Sequence, residues 1–266
     1  LKPARFTRVE AVRVADGAVV GATFTDDAGT FAIEFAAQPS DHIVRAVSVG
    51  LVGEQAVEVR DVDANLRYAV AAPPFLGGAE FDGVQIIAPV EDAIGGALNI
   101  IDVAVGAFAF FAPYVDGTAP TLTYRWQPGV AHGCGSCYAD NAVRLAGAVE
   151  DTDEYDDVII LHELWHWFMA HFSADSSPGG SHRDRIVSPA LAFGEGVAYA
   201  FAGLVRGAPD VVVAHAPAQS LPPITTGVTP SLRLRNGMPS ACSALAGAAS
   251  TQTSRLVYRP GKSCSK

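Results

Sequence analysis

From residue 8 to residue 72 the chain is written in short alternating apolar runs, each closed by a turn signal, and few folds accept that pattern. Val9, Val12 and Val14 lead into Asp16-Gly17. Val19 to Thr25 lead into Asp26-Asp27-Ala28-Gly29, and Phe31, Ile33 and Phe35 follow. Period-two alternation sends one face of each run to a core and the other to water, while Asp/Gly pairs reverse the chain. Antiparallel strands in a small sandwich are predicted. Pro73-Pro74 and Gly77-Gly78 break the pattern and mark a linker or edge.

Past this break the period changes. Ala93 to Phe111 reads as a long apolar helix; Asn99, Asp102 and Gly106 suit a buried helix better than a membrane span. Leu122 to Trp126 and Arg144 to Val149 read as short strands. An acidic cluster, Asp151, Asp153, Glu154, Asp156 and Asp157, leads into Val158-Ile159-Ile160-Leu161, where a helix begins and runs to about Phe172. Acidic residues in a first turn suit the positive end of the helix dipole. A second helix is predicted from Pro189 to about Val205, with the proline acceptable near its start.

Residues 207–266 differ again. They hold six Lys/Arg and one Asp, against 12 basic and 27 acidic residues before them, with no sustained period. A flexible tail is the plain reading. The whole chain is 49% hydrophobic and 17% charged, enough for a sizeable core, and its net charge of -10 argues against nucleic acid as the main partner. The fold class expected is α+β: a small antiparallel β-sandwich (1–74), a mainly helical domain (75–206) and the tail (207–266).

The residues that carry chemistry are His162-Glu163-Leu164-Trp165-His166. Positions i and i+4 of an α-helix lie about 40° apart around the axis, so both imidazoles leave one face. That spacing lets two neutral imidazoles reach one zinc ion, and Glu163, next in line, can take a proton from a zinc-bound water. His171 is a poor third ligand: it lies about 180° round the helix from His162 and reads as a surface or second-layer histidine. Glu195, in Ala192-Phe193-Gly194-Glu195-Gly196, is the better one, because small flanking residues would let its helix pack close to the first. Tyr199, His182 and Arg185 are candidates to stabilise a developing oxyanion. Asp184 either supports a ligand histidine or caps the next helix. The acidic cluster could hold a structural Ca²⁺, but a solvated helix start is favoured because no EF-hand pattern is present. Of the four cysteines, Cys134 and Cys137 form a CxxC read as a local disulfide pinning a loop; the pairing of Cys242 and Cys264 stays open.

Two resemblances sharpen this reading. The stretch Asp16 to Phe35 resembles carboxypeptidase regulatory-like, transthyretin-like domains, which implies an accessory β-sandwich with no catalytic residue. HExxH followed by Glu195 resembles the gluzincins, in which a glutamate on the next helix completes the metal site. Within that group, Asp151 to Gly203 resembles bacterial secreted or lipoprotein members, with an acidic DTDEYDD-like lead, HExxH, a Ser/Gly/His-rich loop and an AFGEG segment. The resemblance implies a zincin-like catalytic domain with one catalytic Zn²⁺ held by His162, His166 and Glu195. It implies a peptide or protein substrate and a secreted, periplasmic or envelope-attached location. The stretch between His166 and Glu195 is longer than in thermolysin-type gluzincins, and residues 207–266 do not look like the helical subdomain that follows in them. An endopeptidase is favoured because no exopeptidase signature is visible. The alternative is an inactive zincin-fold binding or adhesion protein.

Overall fold

The computed structural model describes residues 2–35, 40–76, 83–89, 92–174, 176–180, 187–208 and 252–255. In chain order the strands are β1 (Thr7–Arg13), β2 (Val19–Phe24), β3 (Thr30–Ile33), β4 (Asp41–Val52), β5 (Gln55–Arg60), β6 (Ala69–Ala71) and β7 (Phe75–Leu76). Helix α1 (Ala93–Phe111) follows, then β8 (Leu122–Arg125), β9 (Cys137–Ala139), β10 (Ala142–Arg144), β11 (Gly147–Ala148) and β12 (Asp151–Thr152). Helices α2 (Asp157–Phe172) and α3 (Pro189–Arg206) come next, and β13 (Gln252–Arg255) is last. The class is α+β, with mostly antiparallel strands and three α-helices among the described residues.

Two compact units divide the chain, and they are discontinuous in sequence. The first takes Leu1–Leu51 and Arg67–Asp102, with β13; the second takes Val52–Leu66 and the chain from Val103 through α3. In the first unit β1 lies between β2 and β4, all antiparallel, and β6 and β7 also pair with β4. Alternation does here what the sequence predicts: Val9 and Ala11 of β1 and Val44 and Ala46 of β4 are buried with Phe31, Ile33, Phe75, Ile94 and Leu98 in one core. Strand β3 pairs with β13, so four residues of the region read as a structureless tail form a strand. Nothing in that segment's periodicity signals it, because its partner is remote in sequence.

In the second unit the order is β5-β8-β10-β9. Strands β5 and β10 are both parallel to β8, and β9 closes antiparallel on β10. Val57, Val59, Leu122, Tyr124 and Val143 fill the buried face, with Trp126 and Leu145 beyond the strand ends. The run read as one strand from Arg144 to Val149 is two, β10 and β11. The break comes where the Leu145 N–H turns to the Arg125 carbonyl, while a side chain at Gly147 would collide with the Gln127 carbonyl at 2.5 Å.

Helix α1 matches its predicted span residue for residue. By length and composition, Ala93–Tyr114 is long and apolar enough to cross a membrane, yet 78% of its apolar window is buried within the protein. Asp102, at its centre, is buried and accepts the Arg5 Nε–H at 2.6 Å, with Lys2 as a second cationic partner.

Candidate metal centre

Helix α2 begins where the sequence says it should, for a local reason. Asp156 is its N-cap: the carboxylate accepts the Val158 N–H at 2.9 Å and the Ile159 N–H at 3.3 Å, two of the donors that a helix start leaves without a partner. Val158, Ile160, Leu161, Leu164 and Trp167 are buried and seat the helix. The buried Tyr124 hydroxyl donates to the Ile160 carbonyl at 3.0 Å and ties the sheet to the helix.

Helix α3 has its own start and stop. Ser188 caps it by accepting the Leu191 N–H at 3.2 Å, and Pro189 takes the first turn, where no N–H is needed. It stops at Gly207, whose φ of 63° is left-handed and suits a residue without a side chain. Leu191, Ala198, Phe201 and Ala202 are buried, and the first, second and last of these share a stripe with Glu195 at helical spacing.

The glycines beside Glu195 do not play the part the sequence suggested. A side chain at Gly196 would meet open space, and at Gly194 only Ser177, at 3.7 Å. Neighbours of Glu195 point about 100° to either side of it, away from α2. Helix contact instead runs through aromatic rings: Tyr199 against His162 at 4.3 Å and Phe201 against Trp165 at 4.8 Å between centroids.

The pairing of α2 with α3 brings three ligand-type side chains together. His162 Nε2 lies 3.0 Å from Glu195 Oε2 and 3.1 Å from His166 Nε2, and His166 Nε2 lies 3.6 Å from Glu195 Oε1. Among the described residues this is the one group of three or more His, Cys, Asp or Glu whose ligand atoms converge, all within 4.8 Å. Donors sharing a tetrahedral ion with bonds of about 2.0–2.1 Å stand about 3.3 Å apart. The three separations bracket that value, so the donor set fits one divalent ion. His171 stands apart from it, 3.5 Å from the Tyr138 hydroxyl and packed on Trp167.

Charge at the site follows its surroundings. Glu163 is buried at 7% exposure, and burial raises its carboxyl above the usual range. Positive charge on His162 or His166 and the polar backbone of Tyr138 pull it down, and the Glu195 charge pushes it up. Burial also acts on Glu195, but hydrogen bonds from His162 and His166 outweigh it and hold this carboxylate well below its usual range. The Tyr199 hydroxyl is raised, first by burial and then by the charges of Glu195 and Glu163.

His182, Asp184 and Arg185 lie outside the described residues. Cys134 and Cys137 form the local disulfide expected of them. The acidic cluster departs from the solvated start expected of it. Asp153 and Glu154 are buried, beside the Ser136 hydroxyl and the Trp126 indole N–H respectively. Burial, then neighbouring acids, push both up to about 7. Sequence shows the run of acids but not the indole and hydroxyl that receive them. Tyr138 is a neighbour of the site that sequence reasoning missed; its influence on Glu163 comes from the backbone, which carries the same N–H in every residue but proline.

No protein family, curated protein or solved structure matches this chain.

Proposed function

We propose that the chain is a zinc-dependent, gluzincin-like metallopeptidase that hydrolyses peptide bonds. The observation that carries this reading is the convergence of His162, His166 and Glu195 beside the buried carboxyl of Glu163. Two imidazoles and one carboxylate are the donor set of a catalytic rather than a structural zinc site, since structural sites are rich in cysteine. When bound there, the ion supplies Lewis acidity that polarises a carbonyl and acidifies water.

The chain's own groups do the rest. Glu163 takes the proton of the attacking water and hands it to the leaving amine, a shuttle served by a carboxyl that burial makes a stronger base than an exposed one. Tyr199, whose ring lies against His162, is the residue we assign to donate a hydrogen bond to the developing oxyanion. Apolar packing by Leu161, Leu164 and Trp167 behind the ligands keeps water from the site. A peptide or protein substrate and an endopeptidase action follow from this reading. A disulfide at Cys134–Cys137 favours an oxidising compartment, consistent with secretion, the periplasm or the cell envelope.

The test is metal content by mass spectrometry on wild type and Glu163→Ala, together with hydrolysis of a quenched peptide library. About one zinc per chain in both, with cleavage by wild type alone, is the expected result. Zinc without cleavage in either would favour an inactive zincin-fold binding protein. Absence of zinc from wild type would remove the reading.

A further inference from the structure

The Cys134–Cys137 disulfide lies outside the metal-ligand set, at the start of β9, and its two ends stand in different surroundings. Cys137 is the first residue of β9, half-buried and paired with Arg144 of β10. Tyr138 stands opposite the fully buried Val143, so Cys137 is on the face of the sheet turned away from that core. Cys134 is exposed. Gly133 and Gly135 flank it, and a side chain added at either would meet nothing within 4 Å, so no group crowds the chain on either side of Cys134.

The loop that carries the pair is held by bonds that do not involve sulfur. Before it, the Gly129 N–H donates to the Gly147 carbonyl at 2.6 Å and the Gly147 N–H to the Val130 carbonyl at 2.9 Å. Within it, the Gly135 N–H donates to the His132 carbonyl at 2.9 Å, with Gly135 at a left-handed φ of 76° that glycine accepts without steric cost. Ser136, between the two cysteines, turns inward: its hydroxyl accepts the Ala146 N–H at 2.9 Å and donates to the buried Asp153. After it, β9 pairs with β10. Stabilisation by a disulfide grows with the loop it closes, and these cysteines are three residues apart. The bridge therefore adds little to what the hydrogen bonds already supply. Breaking it leaves two thiols side by side on a loop that keeps its shape. Exposed disulfides are the ones that exchange.

We propose that Cys134–Cys137 is a site of thiol–disulfide exchange with low-molecular-mass thiols, in which Cys134 is the sulfur attacked and Cys137 the leaving and resolving group. The external thiolate attacks the Cys134 sulfur and forms a new S–S bond there. The bond to Cys137 breaks, its electron pair stays on the Cys137 sulfur, and that thiolate takes a proton from water. Cys137 can attack back, which restores the bridge and releases the thiol. Alternatively a second external thiolate attacks the sulfur of the bound thiol and displaces Cys134; the two external thiols depart as their own disulfide, and the loop is left as a dithiol. Two electrons have then passed from the external thiols to the pair. The site stands whether or not the chain is a peptidase.

The test uses the full chain with Cys242→Ser and Cys264→Ser, so that one pair remains, and glutathione as the thiol. After incubation with reduced glutathione the mixture is quenched with acid, free thiols are capped, and the modified peptides are identified by mass spectrometry. We expect exchange of the native chain to run within about tenfold of its rate in denaturant, with glutathione trapped on Cys134 about tenfold more often than on Cys137. Protection of the Ala146 amide, which reports the Ser136 anchor, should stay within about tenfold between the oxidised and reduced chains. A Cys137→Ser variant lacks the resolving thiol and should hold glutathione on Cys134 after treatment with oxidised glutathione. Exchange that requires denaturant would overturn the proposal, since the pair would then be a sealed structural bridge. Equal trapping on the two sulfurs would overturn it as well, as would failure of Cys134 to take up glutathione in the variant. A larger loss of Ala146 protection on reduction would do the same, because the loop would then depend on the bridge.

Discussion

Two stretches of the molecule treat buried carboxylates in opposite ways. In the first unit, Asp102 meets Arg5 and Lys2, and Glu10 meets Arg8 at 2.7 Å and Arg45; burial raises Glu10, but these partners outweigh it and hold the group below its usual range. In the second unit Glu58 is likewise paired, with Arg60 at 2.6 Å, but in the stretch from Asp153 to Glu163 burial outweighs every partner and raises the buried carboxyls instead. A buried carboxylate with a cationic partner is architecture, because removing either member leaves an uncompensated charge. One lifted toward neutral pH lowers stability when ionised and is kept where a proton must move. The contrast separates groups that hold the fold from groups that use it.

The sharpest way to break this comparison is a pair of isosteric substitutions. Glu163→Gln should lower kcat by about 10²–10⁴-fold while leaving zinc bound and the unfolding midpoint unchanged or higher. A loss of stability there would make Glu163 structural. Tyr199→Phe comes next: kcat should fall about 10–10²-fold with zinc content unchanged, and an unaltered kcat would remove Tyr199 from the oxyanion role. Asp102→Asn should do the converse of Glu163→Gln, costing about 1–3 kcal/mol in denaturant unfolding with kcat intact.

The smallest effect is in pH. Asp153 and Glu154 carry folded values near 7, above their unfolded ones, so the native state holds protons that the unfolded chain has already released. Stability contributed by them is full below the unfolded values and is lost as pH rises through about 7. Glu10, lowered from 4.5, has the opposite sign: its contribution is present above that value and is lost as pH falls through the folded one. Melting temperature against pH for wild type and Glu154→Gln should show the high-pH limb flatten in the variant and the low-pH limb persist. An unchanged high-pH limb would discard the assignment.

What the sequence determined by itself was local. The spans of α1, α2 and α3, the strands of the alternating region and the Cys134–Cys137 bridge could be read because caps, periods and short spacings act within a few residues. The shared face of His162 and His166 followed from helical geometry alone. Tertiary structure decided the rest. It paired β5 parallel with β8 and drew β13 to β3, contacts whose partners are far apart along the chain. It brought Glu195 within reach of both histidines through Tyr199 and Phe201 packing on α2, with Gly194 and Gly196 turned away from the contact. It also buried Asp153, Glu154 and Glu163. Burial and charge depend on what covers a residue from elsewhere in the chain, and an acidic run reads the same on paper whether water or an indole faces it.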